Sequence, residues 1–184
     1  MKFNTHSALA GMHAFLSPSK YHWLNYSEDK LITSYTTKQA AMRGTELHEF
    51  ASEAIRLGIR LVNNKQPINQ YVNDAIGYRM EPEKALFYSV NCFGTADAIS
   101  FHKNKLRVHD LKTGVSPTSE LQLYVYAALF CLEYGYKPGD IEFELRIYQD
   151  SEIRVYEPTT DEIAHVMDKI VSSDKIITEL RNTL

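Results

Sequence analysis

Apolar and polar positions alternate most clearly between residues 84 and 113. Lys84 to Asn91, Phe93 to Phe101 and Leu106 to Thr113 read as three strands, because period-two alternation with β-branched and aromatic residues marks a half-buried sheet. Upstream, the pattern has helical period. Ser17-Pro18 opens a short helix carrying Tyr21, Trp23 and Leu24. Thr36 or Thr37 caps a long helix to about Asn63, with Leu47, Ala51, Ala54, Ile55 and Leu61 as its buried stripe. A loop at Asn63–Pro67 and a second helix over Ile68–Arg79 precede the strands. Downstream, Ser116-Pro117 opens a helix that ends near Gly135, with a stop at Pro138. Ile141 to Gln149 alternates as a strand, Glu152 to Glu157 can pair with it, and Thr159 or Thr160 caps a final helical region to Leu184. The order predicts an α+β fold, a mixed central β-sheet flanked by helices.

Composition bounds this picture without changing it. The chain has 184 residues, 44% of them hydrophobic and 23% charged, enough for one domain (1–184) with a sizeable core. It shows no internal repeat or low-complexity segment, no apolar run of membrane-spanning length, and no signal-peptide pattern at its start. Two cysteines without a disulfide framework suit a reducing cytoplasm. The net charge of −3 does not advertise a nucleic-acid binder, so contact with DNA would fall to local cations such as Lys20, Lys38, Arg43, Lys103, Lys105 and Lys112.

The chemistry concentrates where two strands meet. His102-Lys103-Asn104-Lys105 is a polar break, and a turn there pairs Phe101 with Leu106, Ile99 with Val108 and Asp97 with Asp110. Alternation puts Lys112 on the same face. Two carboxylates directly opposed on a sheet repel each other, and a hard divalent cation is a natural compensation. His48 stands mid-helix beside the apolar stripe, where a neutral imidazole can complete a metal shell. Gln122 and Tyr126, four apart, share one helix face. Glu81 and Glu83 precede the first strand, and the sequence does not choose between them. His6, His13, His22 and His109 have no ligand spacing, and His109 points away from Asp110.

Gly94-Thr95-Ala96-Asp97 followed by Asp110-Leu111-Lys112 resembles the core of the PD-(D/E)XK nuclease superfamily. Arg43-Gly44-Thr45-Glu46-Leu47-His48 is similar to the upstream helix of its RecB-like branch, and Gln122-Leu123-Tyr124-Val125-Tyr126 to that branch's Gln-x-x-x-Tyr helix. Leu16-Ser17-Pro18-Ser19 with Trp23-Leu24-Asn25 resembles the opening of phage-borne RecB-like proteins. The resemblance spans residues 16 to 126, in the same order of elements.

The resemblance implies a restriction-endonuclease-like core and a divalent-metal-dependent DNA nuclease. An exonuclease of phage or bacterial recombination and repair is the first expectation, with a single-strand annealing protein as a partner. His48, Asp97, Asp110 and the backbone carbonyl of Leu111 would hold Mg²⁺ or Mn²⁺, which activates water and polarises phosphate. Lys112 would position the water or stabilise transition-state charge, and the two nearby carboxylates argue against its acting as a base. Gln122 would hold Lys112, a water or a phosphate. Tyr126, Arg43 and Lys20 would contact nucleic acid. The literal Pro-Asp pair is absent, since Ala96 precedes Asp97. Relatives with an iron–sulfur cluster use four cysteines, so two imply no cluster, and the lack of a Gly-x-x-x-x-Gly-Lys-Ser/Thr run implies no ATP use. The competing expectation is a catalytically silent nuclease fold that binds DNA or protein.

Overall fold

The computed structural model describes Ser7 and residues 14–114, 116 and 118–183. Contacts divide the chain into two compact units, Met1–Arg43 and Gly44–Leu184. In the first, a 3₁₀ helix over Pro18–Asn25 follows Ser17, whose carbonyl accepts from the Trp23 indole N–H.

Helix α1 (Glu28–Leu57) contributes to both units and begins earlier than the sequence suggests. Ser27 caps it by accepting from the Lys30 amide, and Glu28 and Asp29 suit the positive end of the helix dipole. Thr36 and Thr37 are interior, and their hydroxyls donate back to the carbonyls of Ile32 and Thr33. The helix stops at Gly58, whose φ of +67° suits glycine. Of the expected stripe, Ala51, Ala54 and Ile55 are buried. Leu47 is exposed, and Leu61 lies beyond the helix.

The second unit is built on a five-stranded mixed sheet in the order β1 (Glu81–Ser89), β2 (Cys92–His102), β3 (Lys105–Leu111), β4 (Glu142–Gln149), β5 (Glu152–Tyr156). Neighbours are antiparallel except β3 and β4, which run parallel because α3 (Leu121–Tyr134) crosses over between them. The β2–β3 hairpin has the expected register, Phe101 opposite Leu106 and Ile99 opposite Val108. Lys103 and Asn104 both have positive φ, as a two-residue turn matched to strand twist requires.

Helices cover both faces. Ala127, Ala128 and Phe130 of α3 and Ile163 and Ile170 of α4 (Thr160–Thr183) pack with Leu106, Val108, Leu145 and Ile147. On the other face, α2 (Pro67–Gly77) brings Tyr71, Val72 and Ala75 beside Ala51, Ala54 and Ile55 of α1, over Ala98, Leu111 and Tyr148. Thr159 and Glu162 form a reciprocal capping box at the start of α4. Helix α3 starts at Leu121 rather than at Ser116-Pro117, and Pro117 lies outside the described residues. The Gln149 side chain donates to the Gly114 and Ser116 carbonyls, and Arg154 donates to Thr118. Those contacts tie Gly114, Ser116 and Thr118 to β4 and β5. Pro138 opens a further 3₁₀ turn over Pro138–Asp140.

A candidate metal centre at a kink shared by two strands

Strict alternation would put Ala96 and Ala98 on one face of β2. Instead, Ala96 and Ile99 pack in the larger core, under α3, while Ala98 packs in the smaller one, under α1 and α2. The strand therefore changes face at Asp97. The partner strand is irregular at the facing position. Glu81 pairs with Ile99, Pro82 with Ala98 and Lys84 with Ala96, so Glu83 lies opposite Asp97, and its φ is +52°. A left-handed glutamate is costly, and such residues persist where the surroundings over-determine them. Here the distortion turns two carboxylates toward one point at the sheet surface.

Helix α1 supplies the third group. The side chain of Gly44 would, as alanine, place its Cβ 2.7 Å from the Thr113 Oγ1, so the helix approaches the chain beyond β3 as closely as it does only because this residue is glycine. One turn later, His48 Nδ1 lies 3.4 Å from Asp97 Oδ2. Single donor atoms of His48, Glu83 and Asp97 all lie within 4.8 Å of one another. Among the described residues it is the only trio of His, Cys, Asp or Glu so closely placed.

The trio shares His48 and Asp97 with the expected ligand set and brings in Glu83. Asp110 continues the hairpin register opposite Asp97, but the last ladder pair is Ala98 with His109, and the Asp110 carboxylate is turned to Lys112. Lys112 Nζ lies 2.9 Å from Asp110 Oδ2 and donates to Oδ1 at 3.1 Å. Leu111 meets Asp97 through its amide N–H, which donates to Oδ2 at 2.9 Å, rather than through its carbonyl. Of the two glutamates that the sequence left open, Glu83 lies beside His48 and Asp97. Glu81 is paired with Lys84 at 2.8 Å. Nothing in the sequence marks a glutamate for positive φ, which favours Gly, Asn and Asp.

Burial and the nearby Asp110 carboxylate push Asp97 up to about 6, against the opposing pull of His48 and the Leu111 amide. A carboxyl this reluctant to ionise is suited to a cation, which offsets both causes at once. Oxygen donors with one imidazole fit Mg²⁺ or Mn²⁺. Ligands of one such ion lie at most about 4.2 Å apart, twice a bond of ~2.1 Å, close to the spacing of this trio.

Helix α3 braces the cation beside the centre. Lys112 donates to Gln122 Oε1 at 2.8 Å. Tyr126 donates to the Thr95 carbonyl at 2.6 Å, so its hydroxyl ties α3 to β2. Lys20 and Arg43 belong to the unit of residues 1–43, where both are exposed. Cys131 is buried and Cys92 half-buried, both as free thiols. No family model and no curated protein matches this sequence. No helix among the described residues is long and apolar enough to cross a membrane.

Proposed function

We propose that this chain is a divalent-metal-dependent deoxyribonuclease, an exonuclease acting in phage or bacterial DNA recombination and repair in the host cytoplasm. The observation that carries the reading is the convergence of His48, Glu83 and Asp97 beside the Lys112–Asp110 pair. The choice of an exonuclease, and of a single-strand annealing protein as partner, rests on the resemblance to phage-borne RecB-like proteins.

His48, Glu83 and Asp97 would hold Mg²⁺ or Mn²⁺. When bound, the ion supplies a water of lowered pKa and neutralises phosphate charge. The protein's own groups do the rest. Lys112 is held between Asp110 and Gln122, so its ammonium is fixed before substrate arrives. That cation orients the attacking water and stabilises negative charge growing on the phosphoryl oxygens, with little reorganisation. Gln122 is a positioning residue that acts through Lys112. Tyr126 keeps α3 in register with β2, which preserves the geometry between Lys112 and Asp97.

The test is cleavage of end-labelled linear DNA, single- and double-stranded, beside closed circular DNA, in EDTA, Mg²⁺ or Mn²⁺. Metal-dependent loss of linear but not circular DNA, abolished in Asp97→Asn, is the expected result. Cutting of circles would make it an endonuclease. A folded protein that takes up metal yet cleaves nothing would overturn the reading in favour of a binding module.

A further inference from the structure

The ribbon that carries Glu83 and Asp97 continues to the turn between β1 and β2. Two further cross-strand pairs line it, Ala85 with Thr95 and then Phe87 with Phe93. Leu86 and Tyr88, on the other face, pack under α3. Ala85 and Thr95 are exposed, and Phe87 and Phe93 are 51% and 68% exposed. The two phenyl rings are near-parallel, 29° apart with centroids at 6.4 Å. Three rows thus follow one another on one surface: a carboxylate row, a row of small side chains and an aromatic row.

We infer that Phe87 and Phe93 form a stacking platform for the bases of a single nucleic-acid strand, so that the site takes unpaired rather than duplex DNA. The inference rests on reading the His48–Glu83–Asp97 cluster as a phosphodiester-cleaving centre. The occupant follows from continuity and spacing. Strand residues rise about 3.4 Å each, so the aromatic row lies about 14 Å from the carboxylate row. At a stacked rise of about 3.4 Å per nucleotide that span is about four nucleotides, fewer for an extended strand. A strand whose phosphate reaches the carboxylates therefore brings its neighbouring bases over the rings, and Ala85 and Thr95 leave the path between them clear. A base offers its flat face to a ring only when it is out of the duplex stack, and aromatic platforms bind single strands with little sequence preference.

The turn next to the platform is anchored to α4. Ser89, at the end of β1, and Asn91, in the turn that follows, donate to Asp174 of α4 at 2.5 and 2.8 Å, and Arg181 donates to Asn91 Oδ1 at 2.6 Å.

The experiment measures binding of a fluorescent single-stranded oligonucleotide, and of its duplex, by anisotropy in Ca²⁺. Wild type is compared with the double variant Phe87→Leu/Phe93→Leu, which keeps an apolar cross-strand pair but removes the ring faces. A Phe87→Trp/Phe93→Trp variant restores them, and thermal melting verifies that each is folded. The expected result is tighter binding of single strand than of duplex by wild type. The leucine variant should weaken single-strand binding about tenfold or more, leave duplex binding unchanged, and be rescued by tryptophan. Single-strand binding unchanged in the leucine variant overturns the inference, as does wild-type preference for duplex. Self-association of wild type that the leucine variant abolishes also overturns it, by assigning the rings to a second copy. Cleavage in Mn²⁺ and its loss in Asp97→Asn reads the chemistry separately. A wild type that cleaves while ignoring the ring substitutions fails the platform alone, and one whose strand binding needs the rings but which never cleaves fails the metal centre.

Discussion

Asp97→Asn should stabilise the metal-free protein at neutral pH while destroying its response to metal. The folded-state pKa of about 6 lies above the ordinary value of 3.8. Below pH 3.8 the carboxyl is protonated whether the chain is folded or not. Between 3.8 and about 6 only the folded chain keeps the proton, and above 6 neither does. Its contribution to stability is therefore fully present in acid and is lost as pH rises through about 6. The gap between 3.8 and about 6 amounts to roughly 3 kcal/mol at ~1.36 kcal/mol per unit. Asparagine carries no charge and can still accept from the Leu111 amide, but it gives up the attraction to His48. A net gain of about 1–3 kcal/mol at pH 8 is expected, or a rise in Tm of about 5 °C for a chain of this size. Urea unfolding in EDTA at pH 4 and pH 8 measures it. The variant should lead wild type at pH 8 and lose that lead at pH 4. Adding Mn²⁺ at pH 8 should reverse the order, since binding to the folded state alone stabilises wild type by mass action. A variant less stable than wild type at pH 8 in EDTA, or a lead of equal size at both pH values, would refute the reasoning.

Lys112→Ala should lower DNA cleavage at least about a hundredfold while Mn²⁺ still raises the Tm, because the ammonium serves the transition state and not the ion. Gly44→Ala should cost about 1–3 kcal/mol through its clash with Thr113 Oγ1, and should weaken Mn²⁺ binding by shifting His48. Thr113→Ala in the same chain should restore both, since the next nearest atom is an ordinary 3.8 Å away. His109 is fully buried, and burial together with Arg146 and Arg107 holds it well below the usual histidine range. Wild type should therefore lose stability as pH falls below about 6.5, where only the unfolded chain gains that proton, and His109→Leu should flatten this limb in acid unfolding curves.

What the sequence reveals of the fold is what local chemistry determines. The β2–β3 hairpin is legible because two alternating runs flank a polar break, which fixes the register from Phe101–Leu106 outward. The start of α1 is not legible from Thr36 or Thr37, because a threonine hydroxyl bonds equally well to a carbonyl one turn back within a helix. Ser27 with Glu28 and Asp29 is the competing cap, nine or ten residues earlier in the same apolar-poor stretch. The candidate centre divides in the same way. Its aspartates, lysine and histidine are visible as residue types at a spacing. The change of face at Asp97 and the left-handed Glu83 are not, since both arise where two strands distort together between two separate cores. Alternation carried unbroken through Asp97 cannot show that Glu83 faces it.

The charge pattern explains why this distortion matters. Asp110 is 3% exposed, and Lys112 answers its charge within the fold. Its Oδ2 has the ammonium 2.9 Å away but no hydrogen bond of good geometry, so the pair is electrostatic at that oxygen. An ion shared by Asp97 and Asp110 would compete with Lys112 for a carboxylate already neutralised. Among the described residues neither Asp97 nor Glu83 forms an ion pair with a lysine or arginine, and His48 stands 3.4 Å from Asp97. The positive φ at Glu83 thus separates two tasks that a regular hairpin would merge. One carboxylate, Asp110, holds the Lys112 ammonium. Two others, Glu83 and Asp97, gather with His48 at the sheet surface, where the proposed ion would sit.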